Sequence, residues 1–218
     1  MRVPLRPLFR AACFLSLLGS AVFAYADPVI NGNVYYEGPS PTGPNAGVLA
    51  PTAPTTIPSA TFTASGFNFN VPANGVDTIS GFLNSGGQLL SFNCTYSPDC
   101  GNTTNLYLTY QFTGETELTA GTNYTFTHDD GIYVYIDGSP VISAPDPTYA
   151  ATDSFSVTTS GFYSFEVLYT NVNSAPAILE SNVVPVNAPV AATPEPSSFL
   201  LLGSGLLAAA AGLKRRLA

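Results

Sequence analysis

Between residues 106 and 112 apolar and polar side chains alternate. Leu106, Leu108, Tyr110 and Phe112 share one face, and Tyr107, Thr109 and Gln111 share the other. Residues 162–169 repeat the pattern, with Tyr163, Phe165, Val167 and Tyr169 opposite Ser164, Glu166 and Leu168. A period of two is that of a β-strand with two different faces. Shorter runs at 60–63, 67–71, 78–83, 88–92, 124–127, 132–136, 154–157 and 178–184, punctuated by Gly, Pro and Asn, are read as further strands. No long amphipathic helix and no internal repeat is visible. Half-buried antiparallel strands of this kind pack in two layers. The expected fold is all-β, a jelly-roll-like antiparallel β-sandwich over residues 59–184, preceded at 27–58 by an N-terminal strand and a loop rich in Pro, Gly and Thr.

The stretch from His128 to Gly138 sets a strand between two Asp-Gly turns, Asp130-Gly131 and Asp137-Gly138. Asp-Gly suits a tight turn because Gly tolerates positive φ and Asp bonds nearby backbone N–H groups. The stretch reads as part of a meander, with the acidic pair Asp129-Asp130 at the mouth of a loop.

Composition sharpens this. Charged residues are only 9% of the 218, and the formal net charge is −8. All six basic residues lie at the ends: Arg2, Arg6, Arg10, Lys214, Arg215 and Arg216. The chain between carries every acid and no Lys or Arg, so it has no basic patch for phosphate backbones, and nucleic-acid binding is excluded. Such a chain recruits divalent cations and repels anionic polymers unless a cation bridges them.

Residues 1–26 read as a secretory signal: three arginines, an apolar run, and Ala24-Tyr25-Ala26 as a small-x-small cleavage site. Cys13 would leave with it. Cys94 and Cys100 remain, around a Pro98-Asp99 turn, and in an oxidising compartment they are expected to form a disulfide. A metal site would need further ligands, and the chain has a single histidine, His128. Residues 185–193 lose the alternation, gain Pro185 and Pro189, and read as a linker. Beyond them lie Pro194-Glu195-Pro196, an apolar run at 199–213 and Lys214-Arg215-Arg216. A short membrane helix over residues 198–213 is expected, its basic end cytoplasmic.

Residues 194–218 resemble the PEP-CTERM sorting signal in this combination of Pro-Glu-Pro, apolar helix and basic end. The resemblance implies a secreted protein of an exopolysaccharide-producing bacterium. A membrane exosortase would process it, cutting near Pro-Glu-Pro, and its destination would be the cell surface or beyond.

The middle of the chain, about residues 107–180, resembles the β-sandwich domain of anthrax protective antigen, shared by yeast flocculins and epithelial adhesins. The resemblance rests on Gly121, Tyr124, Phe126, Asp129, Asp130, Gly131, Asp137, Gly138, Gly161 and Tyr163. In the adhesins the Asp-Asp pair, often joined by a cis peptide, coordinates calcium that grips sugar hydroxyls. Asp129 and Asp130 match that pair, which implies calcium as cofactor. Other members use the fold as a structural module, so fold alone does not decide function.

Read by themselves, Asp129 and Asp130 are calcium ligands or an exposed turn with two solvated acids. Tyr133, Tyr135 and Tyr149 either stack on sugar rings or fill the second face of a sheet. Glu115 and Glu117 share a strand face, but nearby Gly114 and Thr116 suggest a solvated turn or edge rather than a catalytic cleft. The expected protein is not an enzyme. It is a surface or matrix module that binds extracellular polysaccharide through calcium at Asp129-Asp130. The alternatives are a structural component of the exopolysaccharide or biofilm matrix and, remotely, a secreted glycoside hydrolase.

Overall fold

The computed structural model describes residues 29–39, 57–75, 78–95, 106–172, 175–187, 204–206 and 212. The signal with Ala24 and Ala26, the Pro194-Glu195-Pro196 motif, the basic end and most of the expected helix at 198–213 lie outside the described residues. Ser204, Gly205, Leu206 and Gly212 are helical. Among the described residues no helix is long and apolar enough to cross a membrane. Residues 1–187 and 188–218 form separate compact units.

The first unit is built from strands. In chain order they are β1 (Ile30–Pro39), β2 (Ala60–Ala64), β3 (Asn68–Val71), then helix α1 (Ile79–Asn84), β4 (Leu89–Cys94), β5 (Leu106–Leu118) and β6 (Tyr124–His128). There follow β7 (Ile132–Ile136), β8 (Ser139–Ala144), β9 (Ala151–Phe155), β10 (Gly161–Asn171), β11 (Ala177–Ser181) and β12 (Pro185–Val186). The larger sheet runs β4-β2-β1-β5-β10-β7-β8, with β12 also on β5; the smaller runs β3-β11-β6-β9. Every pairing is antiparallel.

The alternation read from the sequence decides which side chains meet between the sheets. Leu108, Tyr110 and Phe112 of β5, and Phe165, Val167 and Tyr169 of β10, are buried in the core. Phe67, just before β3, ties the layers together: its ring lies 5.5 Å from Phe112 and Phe165 on the larger sheet and 5.4 Å from Phe126 on the smaller. Each such pair contributes about 0.5–1.5 kcal/mol beyond the area it buries.

Five expectations are corrected. Residues 78–83 are not a strand. Thr78 caps α1, its Oγ1 accepting from the Gly81 N–H at 3.0 Å, and Ile79, Phe82 and Leu83 bury one face. Their spacing of three and four is that of a helix stripe. The sandwich begins at β1, a strand inside the larger sheet between β2 and β5, rather than at residue 59. Pro185 and Val186 are not linker but pair with Thr116 and Glu115. Glu115 and Glu117 lie within the long β5, paired with Ser164 and Phe162 of β10, and not in a turn.

The fifth matters most for the site. β6 belongs to the smaller sheet and β7 to the larger. Asp129-Asp130-Gly131 is therefore not a meander turn but a crossing between layers. Stacked sheets lie about 10 Å apart, and three extended residues span about that much.

Candidate functional site

The crossing is held on every side by its own backbone. The Asp129 N–H donates to the Ile178 carbonyl of β11 at 3.0 Å, and the Asp130 N–H donates to the Thr148 carbonyl at 3.2 Å. The Gly131 carbonyl accepts from the Thr170 N–H of β10 at 2.8 Å. The left-handed residue is Asp130, with φ 74°, and not Gly131. Asp is one of the few L residues that visit this region readily. The Asp129–Asp130 peptide is trans; the cis bond among the described residues is Ala175–Pro176.

This geometry brings both aspartates to the lining of one cavity. Its volume is about 480 Å³. Asp129 and Asp130 supply its acidic wall, Pro147, Thr148 and Tyr149 of the β8–β9 loop a second, and Val172, Ala175 and Pro176 after β10 a third. Asp129 is 7% and Asp130 5% exposed, so neither is the freely solvated turn acid of the alternative reading. Asp130 Oδ2 accepts from the Val172 N–H at 2.7 Å, which fixes that carboxylate. Tyr149, 92% exposed, presents a bare ring at the edge.

The charge balance is lopsided. Burial pushes the Asp129 carboxyl above its usual range, and His128 pulls against it. His128 is itself buried and faces two acceptors: Nδ1 lies 2.6 Å from the Asp130 carbonyl and Nε2 2.9 Å from Asp153 Oδ2 on β9. A neutral imidazole donates from only one nitrogen. The second contact therefore needs a second proton, carried by the ring as an imidazolium or by Asp153. No lysine or arginine lies between Arg10 and Lys214 to assist. Burying adjacent carboxylates this way is costly without a cation.

The three tyrosines set together by sequence are apart in the structure. Tyr149 borders the cavity; Tyr133 and Tyr135 do not. They project from the outer face of β7, stacked with centroids 6.2 Å apart and planes at 25°. Burial, Tyr133 and Glu166 together push the Tyr135 phenol up. Cys94 ends β4 and is disulfide-bonded; its expected partner Cys100 lies outside the described residues. Among the described residues no group of three or more His, Cys, Asp or Glu side chains is placed to hold a metal. Sequence reading missed Thr148, Val172 and Asp153. They reach the site only through loops and strand pairing, and no local motif marks them.

No curated protein matches the chain. Among solved structures it is similar to the PA14 domain of the MpAFP antifreeze protein, at TM-score 0.51 and 19% identity, covering 74% of this chain and 90% of that one. It is also similar to a PA14 sugar-binding domain from an RTX adhesin, at TM-score 0.51 and 21% identity, covering 75% of this chain and all of that one. At such identity the likeness is one of fold: the described strands adopt the protective-antigen sandwich that residues 107–180 resemble. Residues 192–216 match the PEP-CTERM protein-sorting motif, so the chain carries a PA14-like sandwich followed by a PEP-CTERM signal.

Proposed function

We propose that this is an exported, non-catalytic protein of the cell surface or extracellular matrix that binds carbohydrate at the Asp129–Asp130 cavity with calcium as the bridging cation. The observation that carries the reading is the pair of nearly buried carboxylates on an open cavity, with His128 as the sole basic side chain at hand among the described residues. The sugar-binding PA14 domain of the RTX adhesin and the sorting motif support the same reading.

The donor set fits calcium in kind. Asp129 and Asp130 would hold the ion, and hard carboxylate oxygens are what calcium prefers. Two carboxylates leave coordination positions open, since calcium takes about six to eight oxygens. When bound, the ion would neutralise the pair and offer a Lewis-acidic centre to neighbouring sugar hydroxyls. The chain's own residues do the remaining work. The Val172 N–H orients Asp130, His128 braces the Asp130 carbonyl from below, and the Tyr149 ring offers an apolar surface to a pyranose face. Export and processing by an exosortase follow from the PEP-CTERM signal and would bring the domain to its ligand outside the cell.

Thermal melting in calcium and in chelator tests this. At a calcium concentration about one hundred times Kd, the wild-type fold should gain about 2.7 kcal/mol, and Asp129→Asn should lose that gain. Glycan-array binding should then require calcium. Equal melting in excess calcium and in chelator would overturn the reading and leave a structural matrix module in its place.

A further inference from the structure

The outer face of the larger sheet carries a pattern unrelated to the acidic cavity. Strand register places Ser91, Thr63, Asn31, Thr113, Glu166 and Tyr135 in one straight row across six strands. The neighbouring row runs Asn93, Thr61, Asn33 and Gln111, then Leu168, and ends on Tyr133. All but Leu168 are exposed or half-buried. At about 4.8 Å per strand the rows extend about 24 Å.

These side chains are ordered among themselves. The Asn33 Nδ2 donates to Gln111 Oε1 at 3.0 Å, and Gln111 Nε2 donates to Glu166 Oε1 at 2.7 Å. Thr63 and Ser91 hydroxyls meet at 2.7 Å. The β4–β2–β1 end of the rows holds a depression of about 350 Å³, and the other end holds the stacked Tyr133 and Tyr135 rings.

We infer that this face is a second, calcium-independent binding site for a neutral extended polysaccharide laid across the strands, its terminal sugars stacked on Tyr133 and Tyr135. The chemistry selects the occupant. A protein partner needs an apolar centre, and the one aliphatic side chain in the rows, Leu168, is 2% exposed. A nucleic acid, an anionic polymer or a membrane surface needs basic residues, and the rows contain none. Amides and hydroxyls both donate and accept, as sugar hydroxyls do. One strand spacing of about 4.8 Å is close to one pyranose of an extended chain. Ordering by mutual hydrogen bonds reduces what binding must immobilise. The site does not depend on the acidic cavity, which lies at the β6–β7 crossing.

The test is native affinity electrophoresis of the protein through gels containing mixed-linkage β-glucan or galactomannan, all in chelator, so that a calcium site is silent. The expected result is retardation that weakens at least tenfold in a Tyr133→Ala/Tyr135→Ala double variant and in Asn31→Arg, with both variants melting like wild type. Relative to a gel without polysaccharide, Asp129→Asn should be retarded as much as wild type. No retardation of wild type by either polysaccharide would overturn the inference. So would unchanged retardation of both variants, or stronger retention by alginate. A wild-type dimer in sedimentation, dissociated by the tyrosine substitutions and indifferent to polysaccharide, would assign the face to a second copy and overturn it as well.

Discussion

β7 begins and ends on the same dipeptide, and the two Asp-Gly steps do opposite things. At Asp137-Gly138 both residues have positive φ, 47° and 72°, and Ile136 pairs directly with Ser139. This is the two-residue hairpin that Asp-Gly favours. Both residues are exposed, and Asp137 Oδ1 accepts from the Ser164 N–H and hydroxyl at 2.8 and 3.0 Å. At Asp130-Gly131 the left-handed residue is the aspartate, the chain changes sheets, and the carboxylates are buried against a cavity. The dipeptide supplies only a backbone that can bend. What covers the bend decides whether its acid is a solvated cap or a buried charge. At one end of β7 that cover is the Pro147–Tyr149 loop and Val172; at the other it is water.

Substitutions at the two ends should separate these roles, and the largest effect is expected at the crossing. Asp130→Ala puts an alanine at φ 74° and strands the Val172 N–H. In chelator it should lose about 2 kcal/mol, even after relief of one buried charge. Asp130→Asn tolerates the same φ and can still accept from Val172, so urea unfolding should place it within about 1 kcal/mol of wild type. Equal losses in the two variants would show that the crossing does not depend on this conformation.

At the hairpin, an alanine Cβ at Gly138 would meet nothing within 4 Å, so Gly138→Ala isolates backbone strain. The expected loss is about 1 kcal/mol in the same unfolding assay. Asp137→Gly keeps the turn and removes only the exposed contacts to Ser164. It should cost about 0.5 kcal/mol, and a loss matching that of Asp130→Ala would erase the contrast between the ends.

The smallest effect is a pH dependence. Burial raises the Asp129 carboxyl above 3.8. The fold then keeps a proton that the unfolded chain has already released. Stability from this group is full below about 3.8 and declines as pH rises through the raised value. Melting temperatures in chelator from about pH 4 to about pH 7 should fall more steeply for wild type than for Asp129→Asn. Parallel profiles would remove the buried charge from the contrast.

Much of the larger sheet was legible because its strands are long. Residues 106–112 and 162–169 alternate over several pairs, and those alternations place Tyr110, Phe112, Phe165 and Tyr169 in the core. Residues 78–83 misled because Thr, Ile and Phe favour strands, and six residues are too few for the helical period to stand out. Their capping threonine and the Ile79, Phe82, Leu83 spacing were present to be read. The acidic pair was visible as a pair, but its burial was not. That depends on Thr148 and Val172, distant in sequence and brought in by pairing. The rows on the outer face are equally invisible in one dimension, since each strand contributes only two residues to them.

The chain leaves the sandwich through β12, two residues paired with Thr116 and Glu115 and steadied by the Thr116 hydroxyl on the Val184 carbonyl at 2.9 Å. Tension applied from the C-terminal side would reach these few hydrogen bonds first and in succession, as a zipper, while the long β5–β10 ladder behind them would be loaded only later. For a surface protein held by one end and pulled by flowing water, β12 is then a mechanical fuse. It would release a few residues of slack at low force before the sandwich is strained. Force spectroscopy with the handle attached at Asn187 should record that short early step.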